Sequence, residues 1–205
     1  MLKKNDVICF QGDSVTDCGR LDDAEGLGGG YPRIVTKTLQ AKYSDYNLSF
    51  YNRGISGHRT KDLIARWDKD CISLKPTILT LLIGINDVWR AMDANDPTST
   101  EVFAENYEKL LTMTKEKTDA KIVVLEPFGL RCGAVTDAWR NDIDPKLYVI
   151  RKLAQKYADA LIPLDALFSA KSLEKEPAFW AGDGVHPTLD GHRFIALKLL
   201  EVLDK

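Results

Sequence analysis

No run of roughly 18 or more apolar residues occurs anywhere in this 205-residue chain, so no segment reads as a membrane-spanning helix. Cysteine is scarce. Cys9, Cys18, Cys71 and Cys132 stand far apart with no C-x-x-C pair, a pattern that fits reduced thiols better than a disulfide framework or a zinc site. Histidine is scarcer: His58, His186 and His192 are the only three, and the absence of H-E-x-x-H argues against catalytic zinc. Neither charge sign dominates, with 28 Lys and Arg interspersed among 30 Asp and Glu for a net charge of -2. That leaves no basic face for nucleic acid. Repeats, low-complexity tracts and linker-like composition shifts are also missing, so residues 1–205 read as one domain with one sizeable core. The amino terminus enters its first apolar run too soon to hold a removable leader, and the expected location is the cytoplasm.

What the chain does have is alternation. Short apolar runs rich in β-branched residues recur at 6–11, 48–52, 78–83, 121–126 and 160–164, each bounded by Gly, Pro, Asn or Asp. Helical periodicity fills the intervals near 30–43, 60–74, 101–118 and 143–158, and again at 189–203. The pattern predicts an α/β fold: a five-stranded parallel sheet between two helical layers, with right-handed crossovers. Three segments read as loops, at 21–30, 91–100 and 128–144.

In such a sheet, sites form beyond the carboxyl ends of the strands. Ser14 follows the first run, Asn52 to Gly54 the second and Gly84 to Asp87 the third, so three strand ends converge on one crevice. Far downstream, Asp183 and His186 stand three residues apart just before a helix that Thr188 is placed to cap. A serine hydroxyl is a poor nucleophile until an imidazole takes its proton and a carboxylate fixes the imidazole's tautomer; Ser14, His186 and Asp183 supply those three groups. The G-x-S-x-G elbow of α/β-hydrolases is absent, because Thr16 occupies the place of its last glycine.

Other residues stay open at this level. Asp13 can bond local amides or reach a substrate, and Trp89, Trp139 and Trp180 can stack on a sugar ring or pack in the core. His58 borders the crevice or is a simple loop residue, and His192 is a surface or packing residue of the last helix. Gly28-Gly29-Gly30 lacks the lysine and preceding strand of a phosphate loop, and reads as a loop able to pack beside the nucleophile.

Four ordered blocks carry a family resemblance: Gly12-Asp13-Ser14-Val15-Thr16-Asp17, Asn52-Arg53-Gly54, Gly84-Ile85-Asn86-Asp87 and Asp183-Gly184-Val185-His186-Pro187. The chain resembles the SGNH hydrolases, also called GDSL esterases, whose markers match Ser14, Gly54, Asn86 and His186. The resemblance implies a three-layer, flavodoxin-like sandwich and an oxyanion hole made by the Ser14 and Gly54 backbone N–H groups and the Asn86 side-chain amide. It implies ester hydrolysis through an acyl-serine, with no cofactor and no metal. Within the family, Asp17-Cys18-Gly19-Arg20, Arg53-Gly54-Ile55-Ser56-Gly57 and Gly84-Ile85-Asn86-Asp87-Val88-Trp89-Arg90 are similar to bacterial intracellular acetylxylan esterases, with Ala181-Gly182 departing from the bulkier residues expected there. The implied partner is a small acylated carbohydrate; Asp13, Trp89 and Trp180, near the strand ends and the Asp183–His186 loop, are candidate substrate contacts, and homo-oligomerisation is expected on the frequency of symmetric assemblies alone. A lysophospholipase or thioesterase of the same family and a non-catalytic sugar-binding relative are the alternatives.

Overall fold

The computed structural model describes residues Met1–Lys205. Its strands are β1 (Val7–Gly12), β2 (Ser49–Asn52), β3 (Ile78–Leu82), β4 (Lys121–Leu125) and β5 (Ala160–Ile162). All pair in parallel, in the order β2-β1-β3-β4-β5. This is the flavodoxin-like doubly wound order that the alternation implies. The last strand stops short of its predicted end at Pro163, whose nitrogen has no hydrogen to donate.

Nine helices follow in chain order: α1 (Ser14–Asp17), α2 (Tyr31–Lys42), α3 (Thr60–Asp70), α4 (Ile85–Asp93), α5 (Thr100–Lys117), α6 (Asp137–Tyr157), α7 (Leu164–Lys171), α8 (Pro177–Trp180) and α9 (Leu189–Leu203). Side chains alternate across a strand, so each strand feeds two cores. Ile8, Phe10, Ile78, Leu82 and Val123 meet Val35 and Leu39 of α2 and Ile195 and Leu199 of α9. The intervening Cys9, Leu79, Leu81, Ile122 and Val124 meet Leu63 and Trp67 of α3 and Phe103, Tyr107 and Leu111 of α5. Every residue of β3 is buried, which is why its sequence is apolar throughout rather than alternating. Each fully buried Leu or Ile in these layers contributes about 1.5–3 kcal/mol relative to exposure.

Helices α1, α4, α7 and α8 lie outside the predicted helical segments, and α6 starts earlier than predicted. The segment after Gly84 is a helix, α4, rather than a turn running into a loop at 91–100. Ile85, Val88, Trp89 and Met92 recur at helical spacing, but the Gly-Ile-Asn-Asp start masks that period with turn-forming residues. Helix α6 begins at Asp137, inside the stretch predicted to be irregular, and carries Pro145 within it. A proline normally marks a boundary because it removes one helical hydrogen bond. Here the buried stripe of Trp139, Ile143 and Leu147 carries the helix through it. These three side chains join Ile85, Val88 and Val185 in a small third cluster. That cluster anchors the residue immediately before His186.

Candidate active site

The chain leaves β1 through a turn that presents Ser14. Asp13 caps α1, its Oδ1 accepting the Val15 N–H at 3.0 Å, and the helix ends after one turn at Cys18 in the left-handed region (φ 43°). A side chain at Gly12 would lie 2.4 Å from the Leu82 carbonyl oxygen of β3, so the turn can sit this low only with glycine there.

The second half of the site is a closed loop. Ala181 and Pro187 pair across its base, Thr188 donates its N–H to the Trp180 carbonyl (2.8 Å), and Thr188 Oγ1 caps α9 by accepting from Gly191 N. The loop rests on residues 130–134: Leu130 N–H donates to Gly184 O at 2.8 Å and Ala134 N–H to Asp183 O at 3.0 Å. Gly184, at φ 89°, has no room for a Cβ, which would stand 2.5 Å from the Leu130 carbonyl.

These two halves meet. Ser14 Oγ lies 2.9 Å from His186 Nε2, and His186 Nδ1 lies 2.6 Å from Asp183 Oδ2. A carboxylate only accepts, so Nδ1 carries the hydrogen and Nε2 is free to accept from the serine. Asp183 Oδ1 also accepts the N–H groups of His186 (2.7 Å) and Val185 (2.9 Å). Partial burial pulls the Asp183 carboxyl upward, but the His186 bond and the two backbone donors outweigh it and hold the group below its usual range. The pair is open to solvent, with side chains 46% and 40% exposed, so a bulky substrate can reach Ser14.

The three expected oxyanion donors surround Ser14 unequally. The Ser14 N–H bonds no protein acceptor. Asn86, buried in the first turn of α4, gives one side-chain N–H to the His58 carbonyl (3.0 Å) and keeps its second. Gly54 differs from the expectation: its N–H donates to Asn52 Oδ1 at 2.9 Å, so it reaches a substrate oxygen only by sharing that bond. Glycine is nevertheless obligatory at 54, because a Cβ would lie 2.3 Å from the Asp17 nitrogen of the nucleophile helix.

The candidate substrate contacts separate clearly. Trp89 flanks the site, its ring 5.6 Å from His186 and 5.4 Å from the buried Trp139. Trp180 is corrected to a core residue: it is 9% exposed, packs against Phe168, Phe179 and Phe194, and donates Nε1–H to Lys171 O. Asp13 is corrected as well. It is 1% exposed and committed to its cap, and burial pushes its carboxyl up to about 7, Asp87 adding to the rise while Val15 N–H and His186 oppose it. His192 is buried, and burial lowers it to about 4. Its Nδ1 accepts the Tyr31 N–H at 3.2 Å, and Gly30 packs directly against its ring, so the glycine-rich loop does lie beside the nucleophile helix.

Two residues with no role assigned from sequence hold the strand ends together. The Asn52 carboxamide donates to Thr16 O (2.7 Å) and Leu27 O (2.8 Å) while accepting from Gly54 N. Arg66 on α3 donates to Gly12 O (3.3 Å), Arg53 O (2.8 Å) and His58 Nδ1 (3.2 Å), and so ties the segments carrying Ser14, Gly54 and the Asn86 acceptor to one guanidinium. The signal for Arg66 is its place three residues after the buried Leu63 and one before the buried Trp67, where a cation needs partners. Asp87 completes the frame by accepting from Thr60 N and Oγ1, joining α4 to α3.

Fold and site together define a serine hydrolase built on a nucleophile–imidazole–carboxylate line. The chain belongs to the GDSL-like Lipase/Acylhydrolase family, whose sequence profile matches residues 10–194. It is 34% identical over 201 residues to an acetylxylan esterase of Geobacillus stearothermophilus, covering 94% of this chain and 91% of the relative. A solved structure of an acetylxylan esterase from that organism superposes with a TM-score of 0.90 at 31% identity, covering 99% of this chain and 96% of the other. A GDSL-like protein of Parabacteroides merdae gives a TM-score of 0.94 at 34% identity over 100% and 98% of the two chains. Solved structures of the Geobacillus esterase include catalytic mutants in which a serine, an aspartate or a histidine is replaced by alanine.

Proposed function

We propose that this protein is a serine esterase that removes acetyl groups from xylo-oligosaccharides. The observation that carries the chemistry is the unbroken line from Ser14 Oγ through His186 to Asp183 Oδ2, with links of 2.9 and 2.6 Å. As Ser14 Oγ bonds the acetyl carbon, its proton passes to His186 Nε2, and Asp183 balances the imidazolium. Negative charge on the former carbonyl oxygen meets the Ser14 N–H and the free Asn86 amide hydrogen; each such donor supplies roughly 3–4 kcal/mol of transition-state stabilisation. The sugar–oxygen bond to the acetyl carbon then breaks and the sugar alkoxide takes the proton from His186. Water attacks the acetyl-enzyme, gives its proton to the same nitrogen, and acetate leaves as Ser14 regains its hydrogen.

A short acyl group is supported by the acetylxylan esterase relatives. A sugar as the alcohol is supported by the open face at His186, by the Trp89 ring beside it and by the acetylxylan esterase relatives. Acetate release from acetylated xylo-oligosaccharides, compared with octanoyl and palmitoyl esters, tests the assignment. Preference for the long acyl esters would replace it with a lipase-type reading.

A further inference from the structure

Arg53 follows the last residue of β2 and precedes Gly54, yet its side chain is bonded to nothing in the protein. Its Nε is buried without a hydrogen-bond partner, and no carboxylate pairs with the guanidinium. The only protein group engaging the charge is the Tyr51 ring, 5.7 Å from it. A guanidinium left without a carboxylate partner beside a groove is free to take one from a ligand.

Arg53 lines a groove of about 390 Å³ together with Arg20, Asp23, Glu25 and Tyr51. The other charges of this groove are already matched. Asp23 and Glu25 both pair with Arg33, Glu25 also with Lys37, while Arg20 donates to Gly54 O at 2.5 Å and faces Asp17. Arg53 is left as the one unmatched charge, positive, in a groove that reaches Asn52 and, through Arg20, the Gly54 carbonyl.

We infer that this groove binds an anionic substituent of the substrate, the carboxylate of a uronic-acid branch on the acetylated oligosaccharide, through the Arg53 guanidinium. The inference rests on the deacetylase reading above. A guanidinium presents a planar fork that matches a carboxylate with two parallel hydrogen bonds, and the Tyr51 face backs that plane. A phosphate on an acetylated sugar offers the same acceptor chemistry, so it forms a separate arm of the test.

The test measures kcat/KM for acetate release from acetylated xylo-oligosaccharides with and without a glucuronic-acid branch, and from an acetylated sugar phosphate. Wild type, Arg53→Gln and Arg53→Lys are compared at low and high salt. The wild type is expected to favour the acidic oligosaccharide by about tenfold at low salt, with the ratio shrinking as salt rises. Arg53→Gln should bring the acidic-to-neutral ratio close to one, and Arg53→Lys should keep part of it. Equal rates on both oligosaccharides, a preference that survives Arg53→Gln, or a stronger preference for the phosphate would each overturn the inference. Calorimetric titration of a deacetylated, glucuronic-acid-branched xylo-oligosaccharide into the wild type and both variants reads the groove without any hydrolysis. Tighter binding than for the unbranched sugar, lost in Arg53→Gln, supports it; equal binding defeats it even if the deacetylase reading itself fails on the neutral substrates.

Discussion

The side chain of Asn52 accepts the Gly54 N–H at 2.9 Å while its nitrogen reaches Thr16 O and Leu27 O, so one carboxamide locks the end of β2 to the nucleophile helix and the glycine-rich loop. Replacing it with a leucine of similar size strands buried polar groups on all three segments. Asn52→Leu should lose about 2–4 kcal/mol in urea unfolding and at least tenfold in kcat on p-nitrophenyl acetate. Unchanged kcat in the folded variant would show that the Ser14 turn holds its place without this residue.

Arg66 acts at a distance from the chemistry, through the Gly12 and Arg53 carbonyls and His58. Displacing these segments by a fraction of an ångström misaligns the Ser14 hydroxyl and the oxyanion donors together. Arg66→Ala is expected to lower kcat by about 10- to 100-fold with little change in KM, and added guanidinium should restore part of the rate. A KM effect without a kcat effect would assign Arg66 to substrate binding instead.

Asp13 makes stability depend on pH in a defined direction. Its carboxyl is raised by burial to about 7 from an ordinary 3.8, so the folded state holds a proton that the unfolded chain releases. The stability it contributes is complete below about pH 4 and is lost as pH rises through about 7. Asp13→Asn keeps an oxygen for the Val15 N–H and has no charge to bury. It should therefore gain on the wild type between pH 5 and 8, by roughly 3 kcal/mol or less. Parallel melting curves across that window would contradict the assignment.

Trp180 separates packing from recognition. Its ring sits among Phe168, Phe179 and Phe194, and its N–H is held by Lys171 O. Trp180→Phe should cost about 1–2 kcal/mol of stability while the KM for acetylated oligosaccharides stays within about twofold. A large rise in KM with unchanged stability would return Trp180 to the substrate site.

The fold was legible because a parallel sheet covered on both faces demands unbroken apolar runs, and those of β1, β3 and β4 can be nothing else in this pattern of alternation. The pairing of Ser14 with Asp183 and His186 was legible because four ordered blocks, not any one residue, match a known family, and the three groups serve one chemistry. Helix α4 was hidden by the turn-forming residues at its start, and the first turns of α6 by Pro145, since both are overridden by burial of Val88 and Ile143 in a cluster that exists only in three dimensions. The same limit applies to Gly54, Asn52 and Arg66. Where a backbone N–H or a guanidinium points is decided by which strand ends stand side by side, and residue type alone does not carry that information.

The central claim is that Ser14 Oγ is the atom that attacks the ester. Its most direct test is the rate of p-nitrophenyl acetate hydrolysis by purified Ser14→Ala with a wild-type circular dichroism spectrum. The rate should fall by at least about 10⁴-fold. Turnover near that of the wild type would mean that the serine, imidazole and carboxylate brought together here are not what cleaves the substrate.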